Sequence, residues 1–126
     1  MWFFSRLARS AYGTSHHLDW AAHGFRFLCD SIWDRRHGGF HWELREGRVS
    51  DDQKHLYGQA FGLLALVEFA RASGETEARE LAGELFDLLE RHAHDDPFGG
   101  YLESLTGDWR VGTNTDTVNR SMRTFP

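Results

Sequence analysis

The stretch Lys54-His55-Leu56-Tyr57-Gly58-Gln59-Ala60-Phe61 opens an almost wholly apolar run that ends near Ala70. Between Leu56 and Ala70 the only strongly polar side chains are those of Gln59 and Glu68. Fifteen residues without a proline are too long for an ordinary strand, so the run predicts a helix. Since it is apolar on nearly every side, we expect this helix to be buried on every side.

The residues at both ends of the run set the bounds of this helix at about 52–72. Asp51 or Asp52 is the expected N-cap residue, and Gly74 is expected to end the helix. A helix of this length, interrupted by polar residues, is too short to span a bilayer.

Three side chains are predicted to share one face near the start of this helix. Lys54, Tyr57 and Phe61 are spaced at i, i+3 and i+7, which places them together on a helix surface. If that end opens on a cavity, the polar tips of Lys54 and Tyr57 point into it. Two structural alternatives stay open: Tyr57 as a core tyrosine with a buried partner, and Lys54 as a solvated or loop-bridging cation.

The other predicted helices have a different pattern of apolar and polar residues from the apolar one. Residues 18–33 and 76–92 repeat apolar side chains at i, i+3, i+4 and i+7, which predicts two amphipathic helices covering a core. Residues 2–12 resemble the tail of a helix that ends at Gly13. Cys29 falls on the apolar face of its helix and is interpreted as a small core residue rather than a nucleophile.

Two glycine-containing loops repeat in the chain. Each has an early acidic residue, then a Gly-Gly pair, an aromatic residue and soon afterwards a glutamate, and the pairs Gly38-Gly39 and Gly99-Gly100 lie 61 residues apart. The glycines of both pairs are expected to form tight turns with positive φ. Since the helix types repeat with the loops, the order predicts a helical solenoid or toroid, with apolar helices inside and amphipathic ones outside. Residues 42–49 suggest a short hairpin, and the tail 109–126 reads as irregular.

Composition excludes several classes of partner. The net charge of −5 and the lack of an extended Lys/Arg cluster argue against nucleic acid. No signal-peptide core or transmembrane segment is recognisable, so no membrane partner is expected. A single cysteine forms no internal disulfide and fits a reducing, cytoplasmic setting. The eight histidines show no ligand spacing on a helix, so neither a metal nor another cofactor is expected.

These motifs together resemble the N-acylglucosamine 2-epimerase family, which includes cellobiose 2-epimerases and mannose-type aldose–ketose isomerases. The resemblance rests on the Gly-Gly-Phe loop, the Lys54-x-x-Tyr57-x-Gln59-Ala60-Phe61 helix start, the Ala-Arg-Glu-Leu-Ala covering helix and the Gly-Gly-Tyr loop with Glu103. It covers roughly residues 2–110. Each motif is weak alone, and their order and spacing make the match specific.

The resemblance implies an all-α fold, a partial (α/α)6 barrel. Residues 1–126 would form a single incomplete segment with about two of six helix pairs: inner helices at 2–12 and 52–72, outer helices at 18–33 and 76–92. The family moves a proton at sugar C2 with a pair of histidines, whose neutral-range pKa suits both general acid and general base. By resemblance both histidines come from later helices, so no catalytic residue is assigned here. Tyr57 and Lys54 are the implied contacts to a mono- or disaccharide.

The tail departs from the family pattern. Residues 119–124 resemble the family's Ser-Met-Asn-Thr-His-Leu-His helix start, but Arg123 replaces the Asn, and Phe125-Pro126 stand where His-Leu is expected. A proline there is hard to reconcile with a continuing helix. The family's substrate-binding arginine would fall before Met1. We therefore expect the chain to be a piece of a longer barrel.

Other functions remain open at this point. The chain could be a non-catalytic helical-repeat module that binds a partner, or self-associates, through exposed inner helices. It could also be a piece of another α/α-barrel carbohydrate enzyme, such as an unsaturated-uronyl hydrolase, although no clear catalytic Asp pair is present. Separately, Glu43, Glu68 and Glu103 could suggest a glycosidase-type carboxylate pair, but acidic residues are common in loops. The sequence does not name the sugar or choose between epimerisation and isomerisation.

Overall fold

The computed structural model describes residues 1–112, and within them the backbone is mainly helical with two short two-stranded sheets. In chain order the elements are α1 (Trp2–Ala8), α2 (Ser15–Phe27), which a π-helical turn over Leu28–Ile32 extends, β1 (Glu43–Arg45), β2 (Arg48–Asp51), β3 (Lys54–His55), α3 (Leu56–Ser73), α4 (Thr76–His92) and β4 (Ser104–Leu105). No helix in this part of the chain is both long and apolar enough to cross a membrane.

The helices pack as two successive hairpins. Helix α1 packs against α2, helix α3 packs against α4, and α3 also contacts both helices of the first hairpin. The rings of Phe25 in α2 and Phe69 in α3 stack with their centroids 4.8 Å apart, which fixes one hairpin against the other. The core lies between these helices, and its buried side chains include Ala21, Leu66, Phe69, Ala78 and Leu85.

Helix α4 has the bounds and the inward face that its sequence predicts. It spans Thr76–His92, and Ala78, Ala82, Leu85 and Leu89 are buried in the core. The charged side chains alternate onto the opposite face, as an amphipathic covering helix requires.

Helix α3 begins later than predicted. Its N-cap is His55, not Asp51 or Asp52, because Lys54 and His55 form strand β3 and pair with Leu105 and Ser104 of β4. The expectation that Lys54 lies on the helix beside Tyr57 and Phe61 is therefore wrong. The predicted end is confirmed: Gly74 adopts φ +76° and donates its N–H to the carbonyl of Ala70.

The expectation that α3 is buried on every side is also wrong. Tyr57, Phe61, Leu64 and Val67 form a stripe along the helix that is 40–56% exposed. The other faces of α3 are covered because α1, α2 and α4 pack against them. We call these four residues the α3 stripe.

The first hairpin differs from its predicted bounds at both helices. Helix α1 ends at Ala8 instead of residue 12 because the chain turns there: the Ser10 hydroxyl donates to the carbonyl of Leu7, and the Gly13 N–H donates to the carbonyl of Ser10. Helix α2 begins at Ser15, three residues earlier than predicted, and its π-helical turn ends at Ile32.

The two Gly-Gly loops have the same backbone, which confirms the repeat seen in the sequence. In the first loop (Asp34–Phe40) the Asp34 N–H donates to the Gly39 carbonyl at 2.8 Å, and in the second (Asp95–Tyr101) the Asp95 N–H donates to the Gly100 carbonyl at 2.9 Å. The four loop glycines have φ between +71° and +82°, as predicted. Strands β1 and β2 form the expected hairpin.

Part of the predicted irregular tail belongs to the core. Trp109 is 5% exposed and packs with the buried side chains of both hairpins. The resemblance noted for residues 119–126 lies outside the described residues.

Candidate functional site

Two aromatic rings stand exposed at the first turns of α3. Tyr57 and Phe61 lie one helical turn apart, and their ring centroids are 4.7 Å apart with a tilt of 47°. Each is more than half exposed. Exposed rings held side by side present flat apolar faces, on which the C–H face of a sugar can stack.

These rings form one end of a groove of about 520 Å³ between α3 and α4. The groove continues along the α3 stripe, and its other wall is Phe86 and Leu89 of α4. Its lining is almost entirely apolar. The lining residues that carry a polar side-chain group are Tyr57, Glu90 and Tyr101.

Glu90 and Tyr101 form a hydrogen-bonded pair at this groove, which the sequence did not single out. The Tyr101 hydroxyl donates to the Glu90 carboxylate. This hydrogen bond, followed by burial, raises the pKa of Tyr101, because the carboxylate favours the protonated phenol. The two residues are 11 positions apart and belong to α4 and the second Gly-Gly loop, so local sequence gave no signal for the pair.

Lys54 is buried beneath the start of α3 rather than exposed in the groove. Lys54 is only 1% exposed. Its Nζ donates a hydrogen bond of 2.8 Å to Oδ2 of Asp34 in the first Gly-Gly loop. The ammonium also lies 5.9 Å from the centre of the Trp109 ring. This is the loop-bridging alternative for Lys54, which ties the first Gly-Gly loop to the chain entering α3.

The surroundings of this ion pair decide its charge state. Burial alone would raise the pKa of Asp34, but hydrogen bonds from Lys54 and from the backbone N–H groups of Arg36 and His37 outweigh it, and the pKa is lowered. Burial is also the largest influence on Lys54 and lowers its pKa, against the pull of Asp34. Asp34 therefore remains a carboxylate that holds the buried ammonium in place.

Two further side chains fasten the first Gly-Gly loop. Gln59 of α3 accepts from the Phe40 N–H at 2.8 Å and donates to the Phe40 carbonyl at 2.7 Å. The Trp109 indole N–H donates to the carbonyl of His37 at 2.9 Å. Together with the Lys54–Asp34 pair, these contacts hold the loop against the first turn of α3, which carries Tyr57.

Trp42 and His55 form a second aromatic pair near the same end of α3. Their ring centroids are 4.2 Å apart. The edge of the Trp42 ring would be 3.3 Å from a Cβ at Gly58, so the indole rests on the first turn of the helix. His55 therefore has a packing partner next to Tyr57, an arrangement that spacing in the sequence did not predict.

Glu68 and Cys29, which were considered as a catalytic carboxylate and as a nucleophile, lie in surroundings that indicate a structural role. Glu68 is buried and faces three arginines, Arg6, Arg9 and Arg71. Burial, then Glu77 and Asp30, raise the pKa of the Cys29 thiol to about 11, so it is protonated at neutral pH, unlike a nucleophile. Within residues 1–112, no group of three or more His, Cys, Asp or Glu side chains is placed to hold a metal ion.

Comparison with known proteins identifies relatives of this chain by sequence similarity. The family model for N-acylglucosamine 2-epimerase matches residues 1–125. A cellobiose 2-epimerase of Ruminococcus albus is 36% identical over 115 residues, which are 90% of this chain and 29% of that protein. A D-mannose isomerase of Marinomonas mediterranea is 35% identical over 91 residues, 72% of this chain and 23% of that protein. The chain thus spans about 29% of the length of its cellobiose 2-epimerase relatives.

Solved structures share the arrangement of the helices. The cellobiose 2-epimerase of Spirochaeta thermophila superimposes with a TM-score of 0.82 at 40% identity, over 86% of this chain and 27% of that one. The enzyme of Bacillus thermoamylovorans gives a TM-score of 0.84 at 33% identity, over 89% and 29%. A glycoside hydrolase family 76 mannosidase of Bacteroides thetaiotaomicron, at 23% identity and a TM-score of 0.63, shares the fold alone.

Proposed function

The chain belongs to the N-acylglucosamine 2-epimerase family, and from this premise we propose that it forms part of an (α/α)6 barrel that epimerises or isomerises a sugar at C2. In this proposal α1 and α3 are inner helices, and α2 and α4 are outer helices. The substrate is a mono- or disaccharide, in line with the cellobiose 2-epimerases and D-mannose isomerases among the relatives.

The observation that carries the proposal is the exposed Tyr57–Phe61 pair at the N-terminal end of α3. Tyr57 combines a ring face for the C–H surface of a sugar with a hydroxyl that can hydrogen-bond a sugar oxygen. Tyr57 is the proposed sugar contact, with Phe61 beside it.

Lys54 has a different proposed role. Because its ammonium is buried on Asp34, we assign it to positioning: it holds the first Gly-Gly loop and the entry to α3 in register, and so orients Tyr57. The C2 proton transfer itself is proposed to use two histidines outside this chain. One removes the proton from C2 and the other returns one to the enediol intermediate.

Sugar binding by the chain can be tested directly by saturation-transfer-difference NMR with cellobiose and with D-mannose. We expect a weak signal from the full chain that Tyr57→Ala abolishes. Tyr12→Ala is the matched control, because Tyr12 is exposed on the connection between α1 and α2, away from the groove. A sugar signal that survives Tyr57→Ala would contradict the assignment of Tyr57.

The reaction is tested by grafting. Residues 1–112 would replace the matching segment of the R. albus cellobiose 2-epimerase, and the chimera is expected to epimerise cellobiose. Tyr57→Ala in the chimera should lower kcat/KM at least about tenfold, the loss expected for one substrate contact of about 1.4 kcal/mol. The chain alone should cause no hydrogen–deuterium exchange at sugar C2, and exchange by the chain alone would contradict the placement of the histidines.

A further inference from the structure

Trp42 is an exposed indole close to Tyr57, the proposed sugar contact. It lies in the connection between α2 and α3, shortly after the first Gly-Gly pair, and is 44% exposed. Its ring contacts His55, with centroids 4.2 Å apart, and its Cζ3 and Cε3 atoms lie 3.3 and 3.4 Å from the position of a Cβ at Gly58. His55 and Gly58 stand on either side of Tyr57 in the sequence, so the indole and the phenol share one end of α3.

The indole is held in place although nearly half of it is open. The Trp42 backbone N–H donates to the carbonyl of Asp51 at 3.1 Å, which ties the residue to the end of the β1–β2 hairpin. Because Gly58 has no side chain, the ring rests directly on the first turn of α3. A ring that is already fixed loses little conformational entropy when a ligand covers it, which favours binding.

The repeat of the two Gly-Gly loops does not account for an aromatic residue at this position. The loops lie 61 residues apart, so Glu103 follows the second loop where Trp42 follows the first. The same backbone turn therefore forms with a carboxylate side chain at the matching position. The exposed indole is not needed to build the turn, and it is free to serve a ligand.

Phe61 lies between the two rings. Successive helical residues point about 100° apart, so residue 61 projects between the directions of residues 57 and 58. Phe61 is 56% exposed, and its ring centroid lies 4.7 Å from that of Tyr57. Tyr57, Phe61 and Trp42, which rests on Gly58, thus form a row of three exposed rings around the start of α3. We call these three residues the aromatic row.

We infer that Trp42 binds the second sugar of a disaccharide whose reacting unit lies on Tyr57. The inference rests on the proposed function and selects disaccharides from the substrates considered there. The two units of a disaccharide such as cellobiose are joined through one oxygen, so the second unit needs a surface next to the first. The aromatic row offers that surface, because the flat C–H face of a pyranose fits the face of an indole. A monosaccharide occupies the Tyr57 end alone.

A pair of sugars tests the inference in the full chain. Saturation-transfer-difference NMR is recorded with cellobiose and with D-glucose, which is the reacting unit of cellobiose without the second ring. Trp42→Ala should reduce the signal of the non-reducing unit of cellobiose at least about threefold, as for one lost aromatic contact, and leave the D-glucose signal unchanged. Trp20→Ala is the matched control, because Trp20 is 53% exposed on α2 and packs against Phe4 of α1.

Two milder variants separate the ring face from simple packing. Trp42→Leu retains an apolar side chain above Gly58 but no flat face, so it should behave like Trp42→Ala. Trp42→Phe retains a smaller ring and should restore most of the cellobiose signal. Circular dichroism should show an unchanged fold for all three variants. In the chimeric epimerase, Trp42→Ala should raise KM for cellobiose about threefold to tenfold and leave kcat within about twofold, because the contact is remote from C2.

The outcomes distinguish this inference from the proposed function. Equal losses for cellobiose and D-glucose would show that the indole only supports Tyr57, and an unchanged cellobiose signal would show that it touches no substrate. Either result overturns the inference while the proposed function stands, provided that Tyr57→Ala still abolishes binding of both sugars. A full chain that binds neither sugar, together with an inactive chimera, would overturn the proposed function and the inference with it.

Discussion

The two Gly-Gly loops share a backbone but differ in what holds them. The first is fastened by Lys54, Gln59 and Trp109, from positions between 19 and 72 residues away. Among residues 1–112, side-chain hydrogen bonds at the second loop join His94 to Asp96 and Tyr101 to Glu90. The same turn thus forms with different side-chain contacts, and distant side chains fasten the loop at the proposed sugar-binding end.

The substitution with the largest expected effect on stability is Lys54→Met, which removes one of the side chains that fasten the first loop. The change leaves the Asp34 carboxylate buried without its cation, and removing one partner of a buried ion pair costs about 3–5 kcal/mol. Urea unfolding followed by tryptophan fluorescence measures the loss. Arg35→Met is the control, since Arg35 pairs with Asp30 at the surface and should change stability by about 0–1 kcal/mol. Equal effects of the two substitutions would contradict a structural role for the buried pair.

A matched pair of alanine substitutions separates turn strain from fastening. Gly39 and Gly99 have φ of +73° and +71°, so alanine is strained at both, by about 1–2 kcal/mol. A Cβ at Gly39 would also lie 2.5 Å from Cζ2 of Trp109 and 3.0 Å from Oε1 of Gln59, whereas one at Gly99 meets no atom of residues 1–112 within 4 Å.

Gly39→Ala should therefore cost about 1–3 kcal/mol more than Gly99→Ala, the usual penalty for overpacking. Thermal and urea unfolding of both variants measures the difference. In the chimeric epimerase, Gly39→Ala should also lower activity more than Gly99→Ala, since it displaces the loop that supports α3. Equal losses of stability would show that the Trp109 and Gln59 side chains move aside at little cost in free energy. The first loop would then be no more rigid than the second.

Sequence reasoning succeeded where the information is local. The inward face of α4, the end of α3 at Gly74 and the positive φ of the loop glycines follow from periodicity and from the steric freedom of glycine. It failed where distant partners decide. Lys54 lies three residues before Tyr57, a spacing that places two side chains on one face of a helix. However, its backbone pairs with β4 and its ammonium pairs with the Asp34 carboxylate, so it lies in a strand before the helix.

The same limit applies to the site. Trp109 lies in a segment without any period, yet it is buried because its indole reaches the first Gly-Gly loop 72 residues away. The apolar run of α3 predicted complete burial, because apolar composition does not distinguish a side chain in the core from one on an uncovered edge. Tyr57 was identified through its family motif, and its exposure at the groove agrees with that assignment without testing it.

The smallest expected effect comes from the residue that follows each loop. His41 follows the first loop and Leu102 the second, and each donates its backbone N–H to the matching position of the preceding helix end, Ile32 or Ala93. Burial, followed by the charge of Lys54, lowers the pKa of His41 from its ordinary 6.5, while Asp34 and Asp52 oppose this. Its Nδ1 is buried without a hydrogen-bond partner in the described structure.

A lowered histidine pKa in the native state gives the pH dependence a definite sign. The His41 contribution is complete above pH 6.5, and it is lost as the pH falls through the native pKa, because the unfolded chain binds the proton first. His41→Leu, which copies the second loop, should remove this part of the decline in unfolding free energy between pH 7 and acid conditions. The Asp34 carboxyl, whose pKa is also lowered, contributes stability that is complete above its ordinary pKa of 3.8 and is lost only below it, so the decline that begins below pH 6.5 is assigned to His41 rather than to Asp34. His23→Leu controls for loss of an exposed histidine, and a pH profile that His41→Leu leaves unchanged would show that the two loops respond alike to acid.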